Sequence, residues 1–221
     1  MNFNIFIIII ALGCAALIAY PSLFPSRTYG KVIILNGPSA SGKTSIQKEF
    51  QHLMMPTLWL KTGIDSLFDK PMPDITLENM SYWQSENPIR WVTTTTDVYS
   101  NPIITLHTGP EGQKAAYAMN KAIVAYAKTG CNVIVDYIAY KKEWIDDLQK
   151  KLKGIPTTWV KVSIPLEVLE QREAARATSP KGHARSHYDT VYWNIPYDIE
   201  VHSDTQTATQ IAQQLKIHLQ K

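Results

Sequence analysis

The sequence has little cysteine, little excess charge and no acid near its start. Two cysteines in 221 residues, Cys14 and Cys131, exclude a disulfide framework, and no C-x-x-C pair offers a zinc site. Lysine plus arginine number 22 against 19 aspartates and glutamates, a balance of +3. That balance gives no electrostatic reason to expect nucleic acid as a partner. Charged residues make up 19% and hydrophobic residues 45%, so the bulk of the chain can bury a core rather than stay disordered. The length suits one domain with a small appendage. No internal repeat is present.

Residues 1–30 contain no acid and one base, Arg27. Phe3 to Tyr20 is apolar apart from Asn4, which just reaches the length of a membrane-spanning helix, about 17–20 residues. Residues 1–24 therefore read as a transmembrane anchor, with a cleaved signal or a buried core helix as the other readings. A signal peptide would carry a positive start, and Met1-Asn2-Phe3-Asn4 has none. Arg27 and Lys31 follow the apolar run, so the positive-inside tendency puts the rest of the chain in the cytoplasm. Export after signal cleavage is the other localisation. Residues 25–30, with Pro25 and Ser26, read as a linker.

Val32-Ile33-Ile34-Leu35 is a buried-strand run ending at Asn36-Gly37. Beyond it Ile46, Phe50, Leu53 and Met54 fall at helical spacing. Further strands are expected at Thr57–Lys61, Trp91–Val98, Ile103–His107, Asn132–Asp136, Trp159–Ile164 and Ile199–His202. Helices are expected at Glu111–Lys128, around Ile145 and Leu148, from Pro165 through Arg176, and last after a cap at Asp204. Residues 70–90, with Pro71, Pro73 and Pro88, read as loop and lid. Strands alternating with helices predict a mainly parallel sheet covered on both faces.

The chemistry is concentrated in Gly37-Pro38-Ser39-Ala40-Ser41-Gly42-Lys43-Thr44, which fits G-x-x-x-x-G-K-[ST] at every position. Glycines let the backbone approach phosphate oxygens, and the following helix presents a positive end to them. Lys43 is expected to reach the β- and γ-phosphates of ATP, Thr44 to bind Mg²⁺, and Ser45 to complete the nucleotide-binding run. Asp136 ends an apolar strand, where an acid can hold Mg²⁺ or cap the next turn. Asp65 also follows a strand, where it can take a proton from a hydroxyl or cap a helix. Arg172 and Arg176 are four apart, so they share one helix face. They can face transferred phosphate, with Lys181 and Arg185 nearby, or pair with Glu170 and Glu173 in solvent. His183, His187 and His202 have no common metal spacing and read as surface or lid residues. Tyr188, Tyr192, Trp193 and Tyr197 read as packing or as a substrate wall.

Small GTPases are excluded: Asn120-Lys121 is followed by Ala122-Ile123, and Ala139 stands where a D-x-x-G glycine would follow Asp136. Ile33-Ile34-Leu35-Asn36-Gly37, the phosphate loop, Gly63-Ile64-Asp65-Ser66-Leu67 and Asn132 to Asp136 resemble the chloramphenicol phosphotransferase family. So do Gln171 to Arg176 and Tyr197-Asp198-Ile199-Glu200-Val201. The matches run in order from Lys31 to the C-terminus. Thr178-Ser179 replace a D-R pair of that family, and His202 replaces an aspartate.

The resemblance implies a three-layer α/β P-loop kinase fold over residues 31–221. A five-stranded, mainly parallel sheet would carry helices on both faces and a helical lid, with the N-terminal apolar helix outside. It implies ATP- and Mg²⁺-dependent phosphorylation of a small-molecule hydroxyl, chloramphenicol-like or unidentified. Asp65 would be the general base, and Arg172 and Arg176 the lid arginines. A nucleoside or nucleotide kinase, and a membrane-tethered ATP-binding module without turnover, are the other functional readings.

Overall fold

Every residue of β1 (Val32–Asn36) is buried, as a strand covered on both faces requires. The computed structural model describes residues 28–64, 72–96, 102–176 and 180–220. The N-terminal apolar segment, Asp65 and Thr178-Ser179 lie outside them. Among the described residues, no helix is long and apolar enough to cross a membrane.

Five strands form the main sheet: β1, β2 (Trp59–Gly63), β5 (Asn132–Tyr137), β6 (Thr157–Ser163) and β7 (Ile199–His202). Their order is β2-β5-β1-β6-β7, and every neighbouring pair is parallel. Alternate residues of β1 face opposite sides, as the two-residue period of a strand dictates. Val32 and Ile34 pack with Ile123 of α3 (Pro110–Lys128) and with Trp144 and Leu148 of α4 (Lys142–Leu152). Ile33 and Leu35 pack with Ile46 and Phe50 of α1 (Lys43–Met54) and with Ile211 and Leu215 of α7 (Ala208–His218). The order reverses at β1, and in open parallel sheets ligands bind beyond the strand ends at that point. The loop after β1 is the phosphate loop.

Residues 72–109 add a short helix, α2 (Met80–Trp83), and a hairpin, β3 (Ile89–Thr96) with β4 (Pro102–Thr108). The helix is absent from the expectation, because its four residues are too few to show a period. The hairpin is antiparallel, forms its own two-stranded sheet and carries an irregularity between Thr93 and Thr95. It leans on α6 (His183–Ser186), with the Ile104 amide donating to the Gly182 carbonyl at 3.3 Å.

Two helix limits differ from expectation. Helix α5 (Leu166–Ala174) is capped by Pro165 at its start but ends at Ala174, with Ala175 as its C-terminal cap, so Arg176 lies past the helix. The last helix is capped by Thr207, not Asp204. Thr207 Oγ1 accepts from the Gln210 amide at 3.2 Å, and Gln210 Oε1 accepts from the Thr207 amide at 2.8 Å. This reciprocal Thr-x-x-Gln box satisfies two helix-end donors at once, and the chain first completes a turn through Asp204.

Candidate active site

Gly42 caps α1 with φ of 90°, a left-handed conformation that glycine adopts without penalty. The turn lets Ser45 and Ile46 donate back to the Gly42 carbonyl. The amides of Lys43 and Thr44 are then left at the helix mouth without an intrahelical acceptor. Behind them the Lys43 side chain folds into the loop. Its ammonium donates to the Pro38 carbonyl at 2.7 Å and lies 3.4 Å from Ser41 Oγ and from Asp136 Oδ1. The Thr44 hydroxyl donates to the other carboxylate oxygen of Asp136 at 2.7 Å. Lys43 is 3% exposed and Asp136 6%.

The sheet register places this acid. Asp136 stands beside Leu35 of β1 and beside Gly63 of β2. A Cβ on Gly63 would lie 2.4 Å from the Asp136 carbonyl oxygen and 2.9 Å from its Cβ. The close approach demands glycine there. Gly63 belongs to the Gly63-to-Leu67 run, whose Asp65 lies just outside the described residues.

Thr44 Oγ1 and Asp136 are hard oxygen donors already within one hydrogen bond. They fit Mg²⁺, which takes one or two protein oxygens and completes its shell with phosphate and water. No cluster of three or more His, Cys, Asp or Glu suited to a metal exists among the described residues.

Arg172 and Arg176 both reach one cleft of about 370 Å³, bordered by Ala40, Gly42 and Ser45 on one side and Ser203 and Gln206 on the other. Arg172 donates to the Ser203 carbonyl at 2.7 Å and to Ser203 Oγ at 3.3 Å. A Cβ on Gly42 would be 3.8 Å from its guanidinium, so this charge stands over the helix mouth. Arg176 reaches the same cleft from beyond α5, not from a shared helical face. Glu173 is not a solvated partner. It is buried and accepts from the amides of Gly182 and Ala184 at 2.8 and 2.7 Å. Burial raises its pKa, against those two bonds.

Three site-shaping residues escape the sequence reading. Asn36 is fully buried: its amide donates to the Val191 carbonyl and Tyr197 Oη, and its oxygen accepts from the Ala139 amide. It ties the tip of β1 to two distant loops. His183 and His187, expected at the surface or in the lid, are 2% and 4% exposed. His202 is exposed as expected. The Ser39 amide donates to His187 Nε2 at 3.0 Å, and His183 Nε2 lies 3.0 Å from Tyr140 Oη. Their spacing of four is visible in the sequence, but the hairpin residue Trp91 that packs on His183 is remote. The aromatic group resolves as packing. Tyr188, Tyr192 and Trp193 donate to the carbonyls of Ile164, Val162 and Ala139, and Tyr197 to that of Tyr192.

Burial, then the Lys43 charge, holds His183 down at about 4. His187 is held well below its ordinary value by burial first, then by His183 and Lys43. Both are neutral at pH 7. An unfolded histidine takes a proton near pH 6.5, so the unfolded chain binds protons more readily. Stability is therefore full above about pH 6.5 and falls as the pH drops towards 4. For His183 alone the loss between pH 6.5 and 5 is about 2 kcal/mol, and His187 adds to it. Urea unfolding at pH 7.5 and 5 is expected to show a lower midpoint at pH 5. An unmoved midpoint would contradict the neutral pair.

A five-stranded parallel sheet whose central strand feeds a lysine- and threonine-bearing phosphate loop, with an acid on the adjacent strand, defines a P-loop nucleotide-binding protein. Residues 30–220 match the family described as chloramphenicol phosphotransferase-like protein, and the chain belongs to that family. It is 28% identical over 190 residues to a Mycobacterium tuberculosis protein named "Putative O-phosphotransferase", covering 84% of this chain and 80% of that one. The fold is similar to that of the M. tuberculosis APS kinase solved with AMPPNP and APS. That pair has a TM-score of 0.59, 17% identity and coverage of 87% of this chain and 99% of the other. It is also similar to a Janibacter sugar kinase, at a TM-score of 0.55, 17% identity and 87% and 95% coverage.

Proposed function

We propose that the chain transfers the γ-phosphoryl group of ATP to a hydroxyl of an uncharged small molecule. The observation that carries this reading is the Lys43–Asp136–Thr44 constellation at the mouth of α1. In the proposed reaction the acceptor oxygen attacks the γ-phosphorus, and the bond to the β–γ bridging oxygen breaks. ADP leaves with that electron pair, and the hydroxyl proton goes to Asp65. Lys43 exchanges the Pro38 carbonyl for phosphate oxygens. Arg172 and Arg176 face the charge on the nucleotide from the cleft they share. Mg²⁺, held by Thr44 and Asp136, would neutralise phosphate charge.

The acceptor's class follows from a cavity of about 460 Å³ between α2 and the hairpin, lined by Met80, Trp83, Ile89, Arg90, Trp91 and Leu106 among others. Its walls are largely apolar, and among the described residues its one cation is engaged. Arg90 donates to Glu86 at 2.6 Å and to the Ser85 carbonyl at 3.1 Å. An uncharged alcohol suits that largely apolar lining. A carboxylated or phosphorylated one does not. Trp91 also touches the His183 ring, with centroids 4.1 Å apart, so the cavity wall continues towards the phosphate loop.

Competition among chloramphenicol, other uncharged alcohols, nucleosides and sugar phosphates, read as phosphorylated product, tests the class. Uncharged alcohols are expected to be preferred at least tenfold in kcat/KM. Preference for a phosphorylated acceptor would overturn the assignment of the cavity.

A further inference from the structure

The Pro38 carbonyl and the Ser39 amide belong to one rigid peptide plane, and that plane is held from both sides. Lys43 Nζ donates to its carbonyl at 2.7 Å, and its N–H donates to His187 Nε2 at 3.0 Å. The proposed reaction takes Lys43 away to phosphate oxygens, which leaves the carbonyl the longer bond from the Ser41 amide at 3.3 Å. We infer that His187 is a positioning residue for the phosphate loop. Its imidazole retains the Pro38–Ser39 peptide while Lys43 moves to the nucleotide. The inference rests on the nucleotide-binding reading above.

The chemistry of the ring supports the role. A backbone amide can only donate, so Nε2 must carry no proton, and Nδ1 must carry it. Ser186 Oγ, 3.3 Å from Nδ1, can accept that proton, and it donates in turn to the His183 carbonyl at 2.7 Å. Both ring nitrogens thus have partners that agree on one neutral tautomer. Protonation at Nε2 would abolish the bond to Ser39.

The ring is also held in place. The His183 and Tyr140 rings lie 4.7 and 5.0 Å from it, and Trp91 of the hairpin closes over His183. The titratable groups facing it are Lys43 from α1, His183 from α6 and Tyr140 from the loop after β5. Burial first, then His183 and the Lys43 charge, disfavour a cation on this ring. A loop prepared before binding spends less affinity on ordering.

Two substitutions of similar polarity separate positioning from mere filling. His187→Gln can place Oε1 near the position of Nε2 and keep an acceptor for Ser39. His187→Asn can replace only the nearer nitrogen. The full-length chain is titrated with the magnesium complex of AMPPNP by calorimetry, and each variant's melting temperature is recorded. The Asn variant is expected to raise Kd at least tenfold, and the Gln variant to stay within threefold of the unsubstituted chain.

Equal affinities for the two variants would overturn the positioning role. No binding by the unsubstituted chain would instead refute the nucleotide reading. If the Asn variant fails to fold, amide hydrogen exchange at Ser39 in the unsubstituted chain decides. Protection that persists when AMPPNP is bound is expected, and exchange at an open-loop rate would overturn the role.

Discussion

Replacing Lys43 with alanine is expected to lower phosphoryl transfer by about 10³-fold or more, the scale lost when a charge aimed at the transferring group is removed. Two effects act together. The ammonium that would move to the phosphates is gone, and Asp136 loses the cation 3.4 Å from it in a site where both residues are buried. A buried carboxylate without its partner is strongly destabilised, so the loop itself should loosen. Affinity for Mg·ATP is expected to fall about tenfold, and the melting temperature is expected to drop as well. Steady-state kinetics, calorimetry and thermal unfolding of the same preparation check the three outcomes. Unchanged turnover would remove Lys43 from the reaction.

Asp65→Asn is expected to show the opposite division of effects. The substitution keeps size and polarity but removes the basic oxygen. If Asp65 takes the acceptor proton, kcat should fall by about 10²–10⁴-fold, the range of general base catalysis. Nucleotide binding should be unaffected, because the phosphates are served by the loop, Lys43, Thr44 and Asp136. The assignment rests on the Gly63-to-Leu67 run and on the family to which the chain belongs. A variant with unchanged kcat, or one that loses nucleotide affinity instead, would move the base elsewhere.

The unit from β1 through α1 was legible because two strong local signals coincide there. A continuous apolar run marks the buried strand, and G-x-x-x-x-G-K-T marks the turn into the helix. Strand β7 likewise matches its expected limits, Ile199–His202. What escaped depends on contacts between residues far apart in the chain. Ser39 meets His187 across 148 positions, and Asn36 meets Tyr197 across 161. No local pattern announces that a histidine will be buried against a phosphate loop, since its environment is built by Tyr140 and by α6. Arg176 leaves the helix one residue past its cap, and helix ends are the least specified feature of a periodic pattern. The capping box at Thr207 was readable as Thr-x-x-Gln, but Asp204 is an equally suitable cap by residue type alone.

A phosphate loop that serves catalysis must yield a phosphorylated product. The direct measurement incubates the full chain with ATP, Mg²⁺ and a panel of uncharged hydroxyl compounds including chloramphenicol. Mass spectrometry then looks for a product that gains one phosphate. Such a product is expected with the unsubstituted chain, and its loss in both Lys43→Ala and Asp65→Asn while the Asp65 variant still binds Mg·ATP. A chain that binds Mg·ATP yet phosphorylates nothing in the panel, or a product formed equally well by Lys43→Ala, would contradict it.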